Sequence, residues 1–343
     1  MTTAFEIKTA TNQKTWDHFI TSHKEANFLH AWAWGDFHLA RHKIVLRRIA
    51  VDQDQRILGA YVGQIEDAKR GRYLAIAGGP ILDWQNQALV KAMFNDIKQL
   101  AKKYHCVFVR IRPQLTDTKA HRQLFKSLGL SPAPIYLSVE YAGILDLTKS
   151  EAEIKAGAAQ RLRRSLKKAL KNNIEVSVST DVEDIHAFYQ IQLETAKRHD
   201  FVSFKEDFLT KQFLAFQKYG QVKLYIAKKD GQILAENFML FYGNEASYHY
   251  GVSSYLGTKY SSAPLLHFAA MRDARALGIQ RYNFWGITAE DDTKHRFYGV
   301  SQFKRGFGVQ ELKYLHAHDL VISPMRYFPD FVFEKLRARL RHV

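Results

Sequence analysis

RYNFWGITAEDDTKHRFYGVSQFKRGFG, residues Arg281–Gly308, reads as an aromatic strand, an acidic turn, a short helix and a lysine followed by two glycines. An earlier stretch, FVRIRPQLTDTKAHRQLFKSLG at Phe108–Gly129, runs in the same order: strand, break at Pro, Thr/Asp loop, short helix, Gly. The parallel extends upstream of both. Before the first lies a strand at Tyr73–Ala77 that ends at Gly78-Gly79-Pro80, then a helix over Gln87–Lys103 with Leu89, Met93, Ile97 and Leu100 on one face. The next strand, Cys106–Ile111, stops at Pro113. Before the second lies a strand at Ala246–Gly251, a helix opened by Pro264 and closed by Gly278, and a strand at Gln280–Trp285. Paired strands precede each set: Ile44–Val51 with Ile57–Ile65, and Lys223–Lys228 with Ile233–Tyr242. The second pair is joined through Asp230-Gly231, a strong hairpin signal. The repeat predicts a mixed α/β (α+β) chain made of two similar lobes.

The totals agree. At 343 residues the chain is long for one core, and 46% hydrophobic with 13% aromatic residues is a globular composition. A formal net charge of +16 attracts polyanions, whether nucleic acid, anionic lipid or a phosphorylated substrate. The one cysteine, Cys106, sits in an apolar run and reads as core, and a single cysteine fits a reducing cytosol. The opening MTTAFEIKTATNQKTW has no apolar signal segment, and no run approaches the ~18 apolar residues of a membrane span. The expected location is therefore cytoplasmic. Metal signatures, a phosphate-loop motif and a nucleophile elbow are all missing, so no metal or cofactor is expected and nucleotide or serine hydrolysis is disfavoured.

Several constellations carry candidate chemistry. Ser150–Asn173 reads as one helix, with Leu162, Leu166, Ala169 and Leu170 on one side and Arg161, Arg163, Arg164, Lys167, Lys168 and Lys171 elsewhere. Six cations with no acid among them repel one another, and a phosphate backbone would relieve that. In Phe303-Lys304-Arg305-Gly306-Phe307-Gly308 the glycines permit a close backbone approach, and a buried lysine there could hold an oxyanion or exchange a proton. Without further context the same pattern is a surface lysine before a tight turn. Arg198, in Glu194–Phe201, suits a phosphate fork, and equally a helix end that welcomes cations. Trp32 and Trp34 before Gly35 line a groove or anchor a core. Glu290-Asp291-Asp292 before Thr293 reads as a helix N-cap.

Taken in order, these segments resemble the Fem family of peptidoglycan interpeptide-bridge aminoacyltransferases. The resemblance rests on Phe28–Gly35 (FLHAWAWG), the basic helix running into Asn173–Val176, Thr195–Phe201 (TAKRHDF), Tyr248–Ser253 (YHYGVS) with Ala263-Pro264, Ala274–Gly286 (ARALGIQRYNFWG) and Phe303–Gly308 (FKRGFG). It implies two acetyltransferase-like lobes facing each other. The first is 1–147 completed by 316–343, and the second is 148–315, with no coiled-coil arm because Phe201–Tyr219 leaves no room for one. It also implies transfer of an amino acid from aminoacyl-tRNA to an amine of a peptidoglycan precursor, either UDP-MurNAc-pentapeptide or lipid II. Lys304 and Phe303 would then be catalytic, and Arg198, His38, Trp34, Tyr248 and Tyr250 would bind substrate. The six cations of the basic helix, with Arg305, would contact tRNA. The sequence departs from the family pattern at Arg112, where an acid is usual, and at His316, where glycine is usual. His38 stands where a phosphate-binding cation is usual, and histidine is mostly neutral at pH 7.

Two other functions fit the same lobes. One is an acyl-CoA-dependent N-acyltransferase, although no Arg/Gln-x-x-Gly-x-Gly/Ala turn is present. The other is an RNA-binding protein without catalysis. The tail Phe331–Val343 alternates Phe331, Val332, Phe333 and Leu336 with Lys335, Arg337, Arg339 and Arg341. It suits a helix docked on the first lobe, or peripheral contact with the cytoplasmic membrane face. The expected state is a monomer.

Overall fold

A computed structural model describes residues 5–68, 71–199 and 202–341. Asp200 and Phe201 of the arginine motif, and His342 and Val343 of the tail, lie outside the described residues, as do the side chains of Arg339 and Arg341. The chain divides into two compact units. One comprises Met1–Glu140 with Lys313–Val343, and the other Tyr141–Leu312.

The first unit runs β1 (Glu6–Thr9), α1 (Gln13–Thr21), a 3-10 turn at Phe28–His30, α2 (Trp32–Ala40), β2 (Ile44–Val51), β3 (Ile57–Ala68), β4 (Gly71–Gly78), β5 (Ile81–Leu82), α3 (Gln87–Lys103), β6 (Phe108–Pro113), α4 (Lys119–Ser127) and β7 (Ser131–Pro132). The second runs β8 (Tyr141–Asp146), α5 (Glu151–Gly157), α6 (Gln160–Lys171), β9 (Glu175–Ser179), α7 (Asp184–His199), α8 (Glu206–Gln217), β10 (Val222–Lys229), β11 (Gln232–Tyr242), β12 (Glu245–Ser253), α9 (Tyr255–Tyr260), α10 (Ala263–Ala276), β13 (Arg281–Gly286), α11 (Tyr298–Arg305) and β14 (Gln310–Lys313). The chain then supplies β15 (His318–Val321) and α12 (Pro324–Arg341) to the first unit.

The two sheets share one plan. The first has order β1-β2-β3-β4-β6-β15-β7, with β5 beside β3, and the second has order β9-β10-β11-β12-β13-β8-β14. In each, four antiparallel strands are followed by a strand that lies parallel to the fourth, β4 with β6 and β12 with β13. A helix precedes that strand in sequence: α3 before β6, and α10 before β13. The helix α3 forms because Asn86 caps it by accepting from the Leu89 N–H, and because Leu89, Val90, Met93, Ile97 and Ala101 recur at helical spacing on its buried face. The β10–β11 hairpin closes on Asp230 (φ 50°) and Gly231 (φ 76°), both in the left-handed region that this turn requires.

The structure corrects three expectations. First, the boundary between units falls at Glu140/Tyr141, ahead of the 147/148 expected, because β8 pairs with β13 and so belongs to the second sheet; the later boundary falls at Leu312/Lys313, ahead of 315/316. Secondly, Ser150–Asn173 is two helices. Ala158 and Ala159 are extended (ψ 147° and 146°), and the Ala159 N–H donates to Gly306 O at 2.8 Å instead of to a helical carbonyl. Thirdly, the acidic turn is not a helix N-cap. Residues 290–294 are exposed and α11 starts at Tyr298, where burial of Ser301 and Lys304 begins to hold a helix in place. Cys106 is buried beside the start of β6, and desolvation raises its thiol to about 11, which fits the core reading.

The C-terminal segment is tied to the first sheet by charge. Arg110 on β6 donates through Nε and Nη2 to both oxygens of Asp319 on β15, each at 2.8 Å, and again through Nη2 to Glu334 on α12 at 2.8 Å. Tyr327 Oη donates to Asp319 at 2.9 Å. The Arg110 and Asp319 side chains are almost fully buried, so removing one partner strands a buried charge. Asp319→Ala is expected to destabilise the first unit by about 3 kcal/mol. The loss would be read as a lower urea midpoint for amide protection in β6 and β15.

Candidate active site

The site forms where β12 and β13 part. In the first unit the parallel pair is matched over six positions, Tyr73–Gly78 against Phe108–Pro113. In the second the match covers three, Glu245–Ser247 against Arg281–Asn283. Two features open the pair. On β12 a bulge inserts His249, since Phe238 faces Tyr250 and Met239 faces Tyr248. On β13 Trp285 has φ 62°, an unusual conformation for a bulky residue, and its N–H donates to Asn283 Oδ1 at 2.8 Å. The point of parting is pinned by buried Glu245. It accepts from Ser247 Oγ (2.7 Å) and Asn283 Nδ2 (3.0 Å) and pairs with Arg281 (3.1 Å).

The bulge separates two residues that the sequence groups together. A regular strand would place Tyr248 and Tyr250 on one face. Instead Tyr248 packs on His267 of α10 at 4.5 Å, while Tyr250 packs on Phe204 and Phe238 at 5.1 and 5.6 Å, in the layer of Phe188 and Phe213 from α7 and α8. Only Tyr248 reaches Lys304. Gly251 makes this possible, because a Cβ there would lie 1.7 Å from Tyr248 Oη.

Lys304, on α11, is 7% exposed. Its Nζ donates to Gly286 O, at the end of β13, at 2.6 Å and lies 5.5 Å from the centre of the Tyr248 ring. Burial lowers its pKa to about 7, so near neutral pH the amine exists in both protonation states. This rules out the surface-lysine reading. Phe303 closes one side, against His267 at 5.6 Å and Phe307 at 5.4 Å. His267 is buried and, through desolvation first and Lys304 second, held near 3, so it stays neutral. Its Nδ1 pairs with Tyr282 Oη at 2.8 Å, and its Nε2 has no partner among the described residues. Sequence reasoning missed His267, Tyr282 and the Gly286 carbonyl. The available signal was a lone histidine within the apolar face of α10, Leu265–Met271.

The glycines after Lys304 serve the fold. Gly306 O accepts from Ala159, and a Cβ on Gly308 (φ 77°) would lie 2.8 Å from Gly157 O. They admit the α5–α6 junction rather than a ligand.

Other expected residues are placed differently. Arg305 is not available as an RNA contact. Its Nε and Nη2 grip Glu311, and Nη2 also donates to Thr288 O at 2.7 Å. In the first unit His38 is buried and, by desolvation and then Arg41 and Lys43, held near 3. A neutral buried imidazole cannot serve as a phosphate cation. Trp34 packs on Phe28, Phe37 and His38, which favours anchoring over a groove. Arg112, where the resemblance led to the expectation of an acid, is fully buried and donates to Ser138 Oγ (2.7 Å) and Gln114 Oε1 (2.5 Å). His316 pairs with Glu140 at 2.8 Å, which helps raise its pKa against the opposing effect of burial. Arg198 on α7 donates to Ser253 O at 2.5 Å and lies 3.6 Å from Glu194, so it steadies the end of β12.

On α6, Leu162, Leu166 and Ala169 are buried, and all six cations are exposed. Arg163 and Lys168 donate to the carbonyls of Ala156 and Lys259. Among the described residues, none of the six pairs with a carboxylate. No group of three or more potential metal ligands occurs among the described residues.

Comparison with known proteins adds the following. Residues 11–128 match the FemAB family, and residues 156–305 match the acetyltransferase (GNAT) domain. The chain is 21% identical to aminoacyltransferase FemA of Staphylococcus epidermidis, over 91% of this chain and 93% of the relative. It is 22% identical to the lipid II:glycine glycyltransferase of the same species, over 96% and 95%. Its fold matches the crystal structure of FemX with a TM-score of 0.85, at 18% identity over 94% of this chain and 98% of the other. It matches a tandem GNAT protein from the clavulanic acid biosynthesis pathway with a TM-score of 0.55, at 11% identity over 93% and 99%. Both units therefore have the acetyltransferase-like fold, without a coiled-coil arm among the described residues.

The Lys304 environment has a measurable signature. The folded pKa near 7 lies below the ordinary lysine value of 10.5, so between these limits the unfolded chain holds one more proton than the folded one. Stability should rise with pH there. Buried Glu236, raised by desolvation to about 8, opposes this trend in the same window and does so equally in both proteins, so the Lys304 effect is read as a difference. Between about pH 7 and 9 the wild type is expected to gain ~2 kcal/mol more stability than Lys304→Met, measured by urea unfolding at each pH.

Proposed function

We propose that this chain is a Fem-type aminoacyltransferase, a reading that the FemAB match over residues 11–128 and the full-length similarity to two aminoacyltransferases support, and that it transfers an amino acid from aminoacyl-tRNA to an amine of a peptidoglycan precursor, either UDP-MurNAc-peptide or lipid II. The observation that carries the chemistry is Lys304: a buried amine of near-neutral pKa, held on the Gly286 carbonyl where β12 and β13 separate.

The reaction is aminolysis of an ester. The acceptor nitrogen attacks the carbonyl carbon of the aminoacyl ester, and the C–O bond to the ribose breaks as the amide C–N bond forms. The proton lost by the amine ends on the departing ribose oxygen. Protonated Lys304 would donate to the oxygen that becomes negative during attack, in a setting where Phe303, Tyr248 and Phe307 limit water and strengthen that contact. Its neutral form could instead relay the proton from the acceptor nitrogen to the ribose oxygen. No covalent enzyme intermediate is required.

The exposed cations of α6 support tRNA as the donor carrier, because a phosphate backbone supplies the counter-charge that the helix lacks. For the precursor's phosphates we assign Arg198 and not His38, since only the former carries charge at neutral pH. An acyl-CoA donor is less well supported. The segment between β12 and α10, Ser254–Ser262, has no glycine-rich pyrophosphate turn, and Pro264 removes one N–H from the first turn of α10.

Lys304→Met is expected to reduce transfer about 10²–10³-fold with purified aminoacyl-tRNA and precursor, with products identified by mass. Transfer at near wild-type rate would remove Lys304 from the mechanism. Replacing Arg164, Lys167 and Lys171 together by Gln should weaken tRNA binding and flatten its salt dependence, by roughly 0.7–0.9 in the log–log slope for each lost phosphate contact. An unchanged slope would place the tRNA elsewhere.

A further inference from the structure

The helix α12 is docked with its polar side inward. Glu334 meets Arg110, Tyr327 meets Asp319, and Asp330 lies against Gly71, where a Cβ would come within 3.2 Å of its carboxylate. These are the two acids of the helix, and both face the protein. The opposite side is apolar and open. Met325, Phe328, Val332 and Leu336 recur at i, i+3, i+7 and i+11, with Phe333 beside them, and are 91%, 68%, 40% and 54% exposed in that order. Arg326, Lys335 and Arg337 flank the stripe and are exposed as well. An ordinary surface helix turns its apolar stripe to the core, and this one is inverted. The stripe runs along a helix about 27 Å long.

We propose that α12 is a peripheral membrane anchor that lies in the interface of an anionic bilayer, with Met325, Phe328, Val332, Phe333 and Leu336 at the headgroup–acyl boundary and its cations on lipid phosphates. Charge selects this occupant. A second copy of the chain would bring the same cations and another +16 against the helix, whereas anionic lipid neutralises them. No helix among the described residues is long and apolar enough to cross a membrane, so attachment through α12 would be reversible. The proposal does not depend on the acyl-transfer reading.

The test is co-sedimentation of the full chain with vesicles of equal parts phosphatidylglycerol and phosphatidylcholine, against vesicles of phosphatidylcholine alone. The wild type should prefer the anionic vesicles on the order of a hundredfold. Phe328→Glu with Leu336→Glu should lower that binding at least tenfold with an unchanged urea midpoint. If this variant is unstable, Met325→Ser with Phe328→Ser serves in its place, with the same expected loss. Arg326, Lys335 and Arg337 replaced by Gln should remove the preference for anionic lipid. The proposal is overturned if the glutamate variant binds as the wild type does. It is equally overturned if binding is lost only when the α6 cations are replaced. A dimer in sedimentation velocity that the glutamate variant abolishes, without vesicle binding, would assign the stripe to a second copy.

Discussion

An amine removed from water is costly to keep charged, and the acyl transfer we propose for this chain rests on how that cost is met at Lys304. Its surroundings offer one carbonyl, that of Gly286, and the faces of aromatic rings. That is too little to replace hydration of an ammonium group with three donors, so the proton is held loosely. It is also enough to fix the position of the nitrogen. A lysine on the surface would be more strongly charged but could neither release its proton near neutral pH nor act in a water-poor setting.

The Gly286 carbonyl is available because β12 and β13 are not paired beyond Asn283. The first unit shows the alternative. Its β4 and β6 stay matched to Gly78 and Pro113, and the sheet remains closed. What opens the second sheet is a pair of local irregularities, the extra residue His249 and the left-handed Trp285. Such features cost energy and persist only when their surroundings fix them. Here buried Glu245 ties Ser247, Asn283 and Arg281 together just before the strands part, and Asn283 holds the Trp285 N–H. The same topology is thus used twice, once zipped and once opened.

Much of the architecture was legible in the sequence, because it rests on periodicity and turn chemistry. The spacing of Leu89, Met93 and Ile97 and the Asp230-Gly231 turn both read directly. Lys304 was singled out in the sequence by its place in an ordered set of motifs, while its burial could not be read from its own neighbours. What failed was whatever depended on one residue's backbone against a distant partner. The run Tyr248-His249-Tyr250 alternates like any strand, and nothing local announces a bulge. Ser150–Asn173 keeps helical patterning through Ala158 and Ala159, which leave the helix to meet Gly306. The run Glu290–Thr293 has good cap chemistry, but no burial to make a helix there worthwhile. His38 and Arg305 were assigned ligands from their place in the motif order, while burial keeps one neutral and Glu311 occupies the other.

The net charge illustrates the same point. Counted along the chain, +16 is a single number that favours any polyanion. In the folded protein two groups of cations stand in contrast. Arg47, Arg48, Arg110 and Arg305 are each held by a carboxylate and act as internal struts. The cations of α6 form another group, on a helix whose first turn lacks an acid and whose buried face is narrow. Strut arginines survive salt because their partners are close and shielded from solvent. The α6 group is screened by it, so salt dependence reports on α6 and hardly on the struts. Affinity for a polyanion therefore resides in the arrangement of a few exposed side chains, and total charge is a poor guide to where it acts.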